Sequence, residues 1–379
     1  MSERIVLQWT QAGKNHTALW HSASGLPAPA KVVVADDQLT ADAAYRLACE
    51  GHGMLWRGDF QNARQLLQAL ARRIDRKPRK AASGVTEDLA LVFHRNRQNQ
   101  ARRARLLGML LIPFEPGYRI PLRRAPDVQQ ACREAYGSAL EQQSFVMSLR
   151  ELQGVVGAHE WRKKGVPIAA LGASIHPHYG VYSPIRGEYV QLVADAPLPS
   201  TTLAFDIGTG TGVLAAVLAR RGVKRIVATD QDERALVCAR DNMQRLGLAD
   251  KVDVMQADLF PPGKAPLIVC NPPWIPARPA SALDHAVYDP DSRMLRAYLD
   301  GLAEHLTPDG EGWLILSDLA EHLGLRDKNA LPQMLDNAGL TVIDRLTTRP
   351  VHGKAGDASD PLHAARKAEV TSLWRLKPR

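Results

Sequence analysis

Three acids and a run of glycines lie at spacings that could hold a positively charged, sugar-bearing cofactor. Asp206 stands two residues before Gly208-Thr209-Gly210-Thr211-Gly212. Glycines so spaced let the backbone turn sharply and approach a ligand, and a helix opening at the turn supplies N–H donors. A dinucleotide fingerprint would need its third glycine at 213, where the chain has Val213. A pyrophosphate gains nothing from an acid at 206, whereas an ammonium group does. Asp230, followed by Gln231 and 22 residues beyond Gly208, can accept two hydrogen bonds from vicinal ribose hydroxyls. Asp258, beside Leu259 and Phe260, can accept from an adenine amino group. The plain alternative for the glycines and acids is a tight turn with helix caps.

A fourth feature suggests what such a cofactor would react with. Asn271-Pro272-Pro273-Trp274 follows the apolar run Leu267–Cys270. Two prolines fix φ near −65° and remove two N–H donors, so the tetrapeptide is stiff and its carbonyls are free. The Asn271 side-chain oxygen and the Pro272 carbonyl can then both accept from one planar NH2 group. Nitrogens of that kind are poor nucleophiles, because the lone pair is delocalised. Paired acceptors orient the group and favour the charge that develops as it attacks an electrophile. Trp274 offers a flat face for a planar substrate. The alternative is an ordinary strand-ending loop, since Asn-Pro and Pro-Pro are common turn pairs.

The elements around these residues follow a regular rhythm. Strands are expected at 203–207, 225–229, 252–256, 265–270 and 312–317, and helices at 212–221, 232–246, 293–305 and 329–338. That alternation implies right-handed crossovers and a parallel sheet covered on both faces. Strand-like segments at 341–346 and 371–376, with no helix expected between them, suggest an antiparallel hairpin at the sheet edge. The part before it is expected to be mixed α/β, with strands at 31–35 and 54–56 and helices at 40–50, 59–70, 86–107, 127–136 and 148–164. The boundary is placed near Gly172, giving domains 1–172 and 173–379. Asp291 or Ser292 is expected to cap the helix at 293, with substrate contact by Asp289-Pro290-Asp291 as the alternative. The segment from His352 to Arg366 shows no role in its sequence.

Composition narrows the class. The 379 residues are 45% hydrophobic and 23% charged, a soluble, core-forming mix for about two domains. Cys49, Cys132, Cys238 and Cys270 include no CxxC pair, which excludes a disulfide scaffold and a Cys-type zinc site and suits a reducing compartment. With no signal pattern and no apolar run long enough to cross a bilayer, a cytoplasmic protein with no membrane partner is expected. Between Arg72 and Arg105, eleven basic residues stand against three acids, so this block carries a charge equal to the +8 of the whole chain. Such a block attracts polyanions, and a solvated helix face is the alternative. Lys163 stands where HExxH, begun by His159-Glu160, needs its second histidine. His176-Pro-His178 has no companion acids at metal spacing.

Residues 201–317 resemble a class I S-adenosylmethionine-dependent methyltransferase, and Asn271–Trp274 resembles the (D/N)PP(Y/F/W) signature of amino methyltransferases. The resemblance implies a Rossmann-like seven-stranded α/β sheet, mostly parallel with one antiparallel strand, beside an N-terminal mixed α/β domain. It implies S-adenosyl-L-methionine as cofactor and no metal, with Gly208–Gly212 against the methionine part, Asp230 on the ribose and Asp258 on the adenine. It makes Asn271, Pro272, Pro273 and Trp274 the catalytic set. Tyr182–Tyr189 is similar in placement to a loop that covers the cofactor in release-factor-type glutamine methyltransferases, which puts Arg186 and Glu188 near the cofactor; helix capping is the alternative. That stretch lacks the family's usual Pro-Arg-Pro-x-Thr-Glu run. The acceptor is expected to be a base amino group of RNA or DNA, RNA being favoured. A glutamine amide of a ribosomal or release-factor protein is the alternative.

Overall fold

Ala12 and Gly13 have φ of 50° and 74°, the left-handed pair that a two-residue hairpin turn requires. They join β1 (Val6–Gln11) to β2 (Lys14–Trp20), strands outside the sequence-based expectations because Ala-Gly is a weak turn signal. After them come β3 (Lys31–Ala35), α1 (Ala41–Cys49), β4 (His52–Trp56), α2 (Phe60–Asp75), α3 (Leu89–Leu107), β5 (Leu110–Phe114), α4 (Gln129–Tyr136), β6 (Phe145–Ser148) and α5 (Leu149–Lys164). The sheet has the order β1-β2-β6-β5-β4-β3. Its centre is fully apolar: Met54, Leu55, Leu110, Leu111 and Ile112 are completely buried. Thr40 caps α1 and Asp59 caps α2 through side-chain oxygens. The Asp59 carboxylate, itself buried, also accepts from Arg123 Nε at 2.9 Å and Arg124 Nε at 2.7 Å.

The structure, a computed structural model, describes residues 5–76, 88–185, 187–279, 283–350 and 357–379. It divides into two units, Met1–Thr86 with His94–Glu160 and Glu87–Phe93 with Trp161–Arg379. The second contains a small hairpin, β7 (Val166–Ile168) and β8 (Ala173–Ile175), and then α6 (Glu188–Asp195). Its main sheet is built from β9 (Leu203–Ile207), β10 (Arg225–Asp230), β11 (Val252–Gln256), β12 (Ala265–Cys270), β13 (Leu306–Ser317), β14 (Leu340–Thr348) and β15 (Thr371–Pro378). The helices are α7 (Val213–Arg220), α8 (Glu233–Leu246), α9 (Arg293–His305), α10 (Leu319–His322), α11 (Ala330–Asn337) and α12 (His363–Ala368).

The strand order β11-β10-β9-β12-β13-β15-β14 places β9 in the middle, parallel to both neighbours. Strands in that position are covered on both faces and read as near-continuous apolar runs, as β12 does and as β9 does apart from Asp206. The two closing strands do pair antiparallel, but β15 lies inside, between β13 and β14, and is antiparallel to both. In keeping with these positions, β15 is largely buried, whereas five consecutive residues of the edge strand β14, Thr341–Arg345, are exposed. Among the described residues no helix is long and apolar enough to cross a membrane.

Candidate active site

Register decides which residues meet. Ile207 pairs with Thr229 on one side and Cys270 on the other, so Gly208, Asp230 and Asn271 are the next residues along three adjacent strands. Asp230 pairs in turn with Gln256, which brings Ala257–Leu259 out at the same rim. These segments line one cleft of about 1540 Å³, walled by Gly208–Thr211, Asp230–Asp232, Ala257–Leu259 and Asn271–Ile275.

The glycine turn is held from both ends. Thr209 N donates to the Thr229 carbonyl at 2.8 Å, and Gly212 N to the Thr209 carbonyl at 2.9 Å. Gly208 and Gly212 have φ of 70° and 82°. A Cβ would lie 2.7 Å from Met294 Cε at the first and 2.9 Å from Met243 Cε at the second. Larger residues there meet backbone strain and must displace a methionine end.

Asp206 is buried beneath the turn and is not on the cleft wall. Its Oδ2 accepts from Thr209 Oγ1 at 2.6 Å and from Ala215 N at 3.1 Å, so the carboxylate ties the glycine loop to α7. Burial pushes its carboxyl up to about 6; the bonds from Thr209 and Ala215 oppose that rise, and the charge of Asp230 adds to it. Asp230 uses one oxygen for Gly210 N and the other for Asp232 N, both at 3.0 Å. Asp230 lines the cleft, and burial raises this carboxyl as well. Gln231 Nε2 donates to Asp258 Oδ1. Leu259 adopts φ of 125°, a costly conformation for a branched residue, and its carbonyl is fixed by Thr229 Oγ1 at 2.5 Å.

In the loop after β12, Trp274 Nε1 donates to Asn271 Oδ1 at 2.9 Å. That bond fixes which end of the amide is oxygen and leaves one of its lone pairs. The half-buried Trp274 ring meets Tyr189 edge-on, centroids 6.5 Å apart and planes at 89°, and packs against core clusters on both faces of the sheet. Its carbonyl accepts from Arg326 Nη2 at 3.0 Å. Arg326 is buried and paired with Glu321, whose carboxyl burial pushes upward. The tetrapeptide is thus fixed by a side chain from a distant segment as well as by its prolines.

Other expected residues are placed differently. Glu188 starts α6 and is not on the cleft wall, although the adjacent Tyr189 is; its Oε1 is buried without a partner among the described residues. Arg186 lies outside the described residues, as do Lys77, Arg79 and Lys80 of the basic block. Within that block Arg103 grips Asp75 through two nitrogens, at 2.7 and 2.9 Å, and Arg73 is paired with Asp42. Ser292, one of the two expected caps, holds the N-cap position of α9 but makes no side-chain cap bond; Asp289 caps the helix instead, accepting from Met294 N and Leu295 N, while Asp291 and Ser292 occupy left-handed backbone. The His176 ring meets the Arg162 carbonyl and the His178 ring meets Asp241. Phe93, Leu319, Leu323, Leu362 and Arg366 also line the cleft. They come from separate segments, and nothing local in their sequence marks them.

A sheet in the order 3-2-1-4-5-7-6 with its seventh strand antiparallel, a glycine turn after the first strand and an acid ending the second define a class I methyltransferase domain. Residues 190–337 match the family model described as methyltransferase small domain. A release factor glutamine methyltransferase from Cereibacter sphaeroides is 30% identical over 175 residues, 42% of this chain and 60% of the relative. A ribosomal protein L11 methyltransferase from Pelotomaculum thermopropionicum is 46% identical over 69 residues, 18% of this chain and 22% of the relative. A tRNA1(Val) (adenine(37)-N6)-methyltransferase from Aeromonas salmonicida is 35% identical over 136 residues, 34% of this chain and 56% of the relative. The chain thus spans between about a fifth and three fifths of the length of these relatives.

The residues present fit S-adenosylmethionine. Gly208–Thr211 expose backbone on the cleft wall and Asp230 keeps acceptor capacity for vicinal hydroxyls. Gln231, Asp258 and Leu259 supply polar and apolar surface for a base.

Proposed function

We propose that this protein is an N-methyltransferase acting on a planar amino nitrogen, with the acceptor an exocyclic base amino group of RNA. The observation that carries the reading is that Asn271 and Pro272, which hold a stiff pair of acceptor oxygens, line the same cleft as Gly208–Thr211 and Asp230. S-adenosylmethionine, when bound, supplies the activated methyl group. The chain's own residues supply position and electrostatics. Asn271 and Pro272 accept the two N–H bonds of the acceptor and aim its lone pair into the cleft. As positive charge grows on that nitrogen, both oxygens stabilise it without moving, because Trp274 and Arg326 hold the loop.

Replacing Asn271 by alanine should lower kcat roughly 10²- to 10³-fold while calorimetry shows unchanged cofactor affinity. Full turnover in a folded, cofactor-binding variant sinks the reading.

A glutamine amide presents the same planar NH2, and the 30% identity to a release factor glutamine methyltransferase favours this second acceptor. Transfer of labelled methyl from the cofactor to total RNA, compared with ribosomal and release-factor proteins, all from cells lacking the enzyme, separates the two.

A further inference from the structure

Beyond Asn271 the cleft continues into a compartment of different character. Its wall is formed by Phe93, Ile275, Tyr288, Leu319, Leu323 and Leu362. Five of these belong to one hydrophobic cluster, against which Trp274 and Tyr288 pack, so the compartment shares a wall with the Asn271–Trp274 loop. An apolar and aromatic chamber next to two fixed acceptors suits a flat ring carrying an amino group. It also contains a charge that such a ring does not require.

That charge is Arg366, on α12 and on the cleft wall. Its side chain is 19% exposed and its Nε donates to Asp360 Oδ2 at 2.8 Å. Asp360 is fixed in turn, since its other oxygen accepts from Leu362 N at 2.9 Å. The guanidinium is therefore oriented through Nε alone. Neither Nη atom has a hydrogen-bond partner among the described residues, and neither is sealed from solvent. A planar fork of N–H groups with one position anchored and the rest open matches two oxygens of a phosphate. On a half-buried side chain lining a cleft with apolar residues, such a contact is stronger than on an open surface.

We infer that Arg366 is an anion subsite for the phosphodiester of the nucleotide whose base occupies the apolar compartment beside Trp274. This rests on the reading of the acceptor as a base amino group and makes it more specific: the acceptor enters attached to its sugar-phosphate chain. A glutamine side chain brings no anion to this end of the cleft.

The test uses the full-length protein and total RNA from cells lacking the enzyme as acceptor, with R366Q and R366K beside the wild type. R366Q should raise KM for RNA about tenfold, the loss expected for one charge-assisted hydrogen bond, with kcat lowered much less and cofactor affinity unchanged. R366K keeps a cation against Asp360 but lacks the fork, and should fall between the two; it also serves if R366Q proves unstable. Wild-type transfer to RNA with KM unchanged in both variants overturns the subsite and leaves the base reading standing. Wild-type transfer to protein and not to RNA overturns both.

Discussion

At the residue scale, the two acids of the cofactor side do different work. Asp230 lines the cleft, whereas Asp206 sits behind it and braces the loop. Their carboxyls are both raised by burial, Asp206 to about 6. An unfolded aspartate titrates near about 4, so between those values the folded chain binds a proton that the unfolded chain releases. For Asp206 this is a stabilising contribution to the cofactor-free protein, present below about 4 and lost as pH rises through about 6. A cationic cofactor prefers the ionised acids, so its affinity should change in the opposite sense and weaken as pH falls through about 6. Thermal unfolding from pH 4 to 8, with and without S-adenosylmethionine, should show stabilisation by the cofactor growing with pH. A stabilisation that is flat across that range contradicts the assignment.

At the element scale, the site depends on how α9 begins. Asp289 accepts from Met294 N at 2.9 Å and Leu295 N at 3.2 Å, and Met294 supports Gly208 from below. Asp289→Ala should cost about 1–2 kcal/mol, as removal of a cap does, measurable as a lower denaturant midpoint. It should also weaken cofactor binding, because Met294 loses its anchor. The elements themselves were largely legible: β9, β11, β12 and α9 fall on the expected residues, since long apolar runs between turn residues leave little choice. Ser292 does sit at the N-cap of α9, but the capping bonds come from Asp289, which lies too far back along the chain to look like a cap locally. Only the left-handed backbone at Asp291 and Ser292 turns the chain so that Asp289 reaches the helix instead. The hairpin of β1 and β2 escaped notice for the opposite reason, having no strong local signal at its turn.

At the scale of the whole molecule, charge and recruitment are the issue. The basic block lies on α2 and α3 in the first unit, apart from its residues that fall outside the described ones. Its charge is partly spent internally, since Arg103 is committed to Asp75 and Arg73 to Asp42. Arg72, Arg76, Arg102 and Arg105 are exposed. Exchanging these four for glutamine should weaken RNA binding and flatten its dependence on salt, by about 0.7–0.9 in log–log slope for each phosphate left without its arginine. The same exchange with Arg103 alone should change the slope less. Equal slopes for wild type and the fourfold variant would show that this block does not carry the RNA.

The sequence alone was enough to specify a mostly parallel sheet, the glycine turn, the acids at strand ends and the stiff Asn271–Trp274 loop, because each is set by residues adjacent along the chain. Only the tertiary structure decided that Ile207, Thr229 and Cys270 end in one row, and that Asp206 faces the loop rather than the cleft. It likewise decided that Arg326 braces Trp274, and that Phe93, Leu362 and Arg366 share the compartment beyond. These depend on strand register and on packing between segments far apart in the chain, which local residue preferences do not encode.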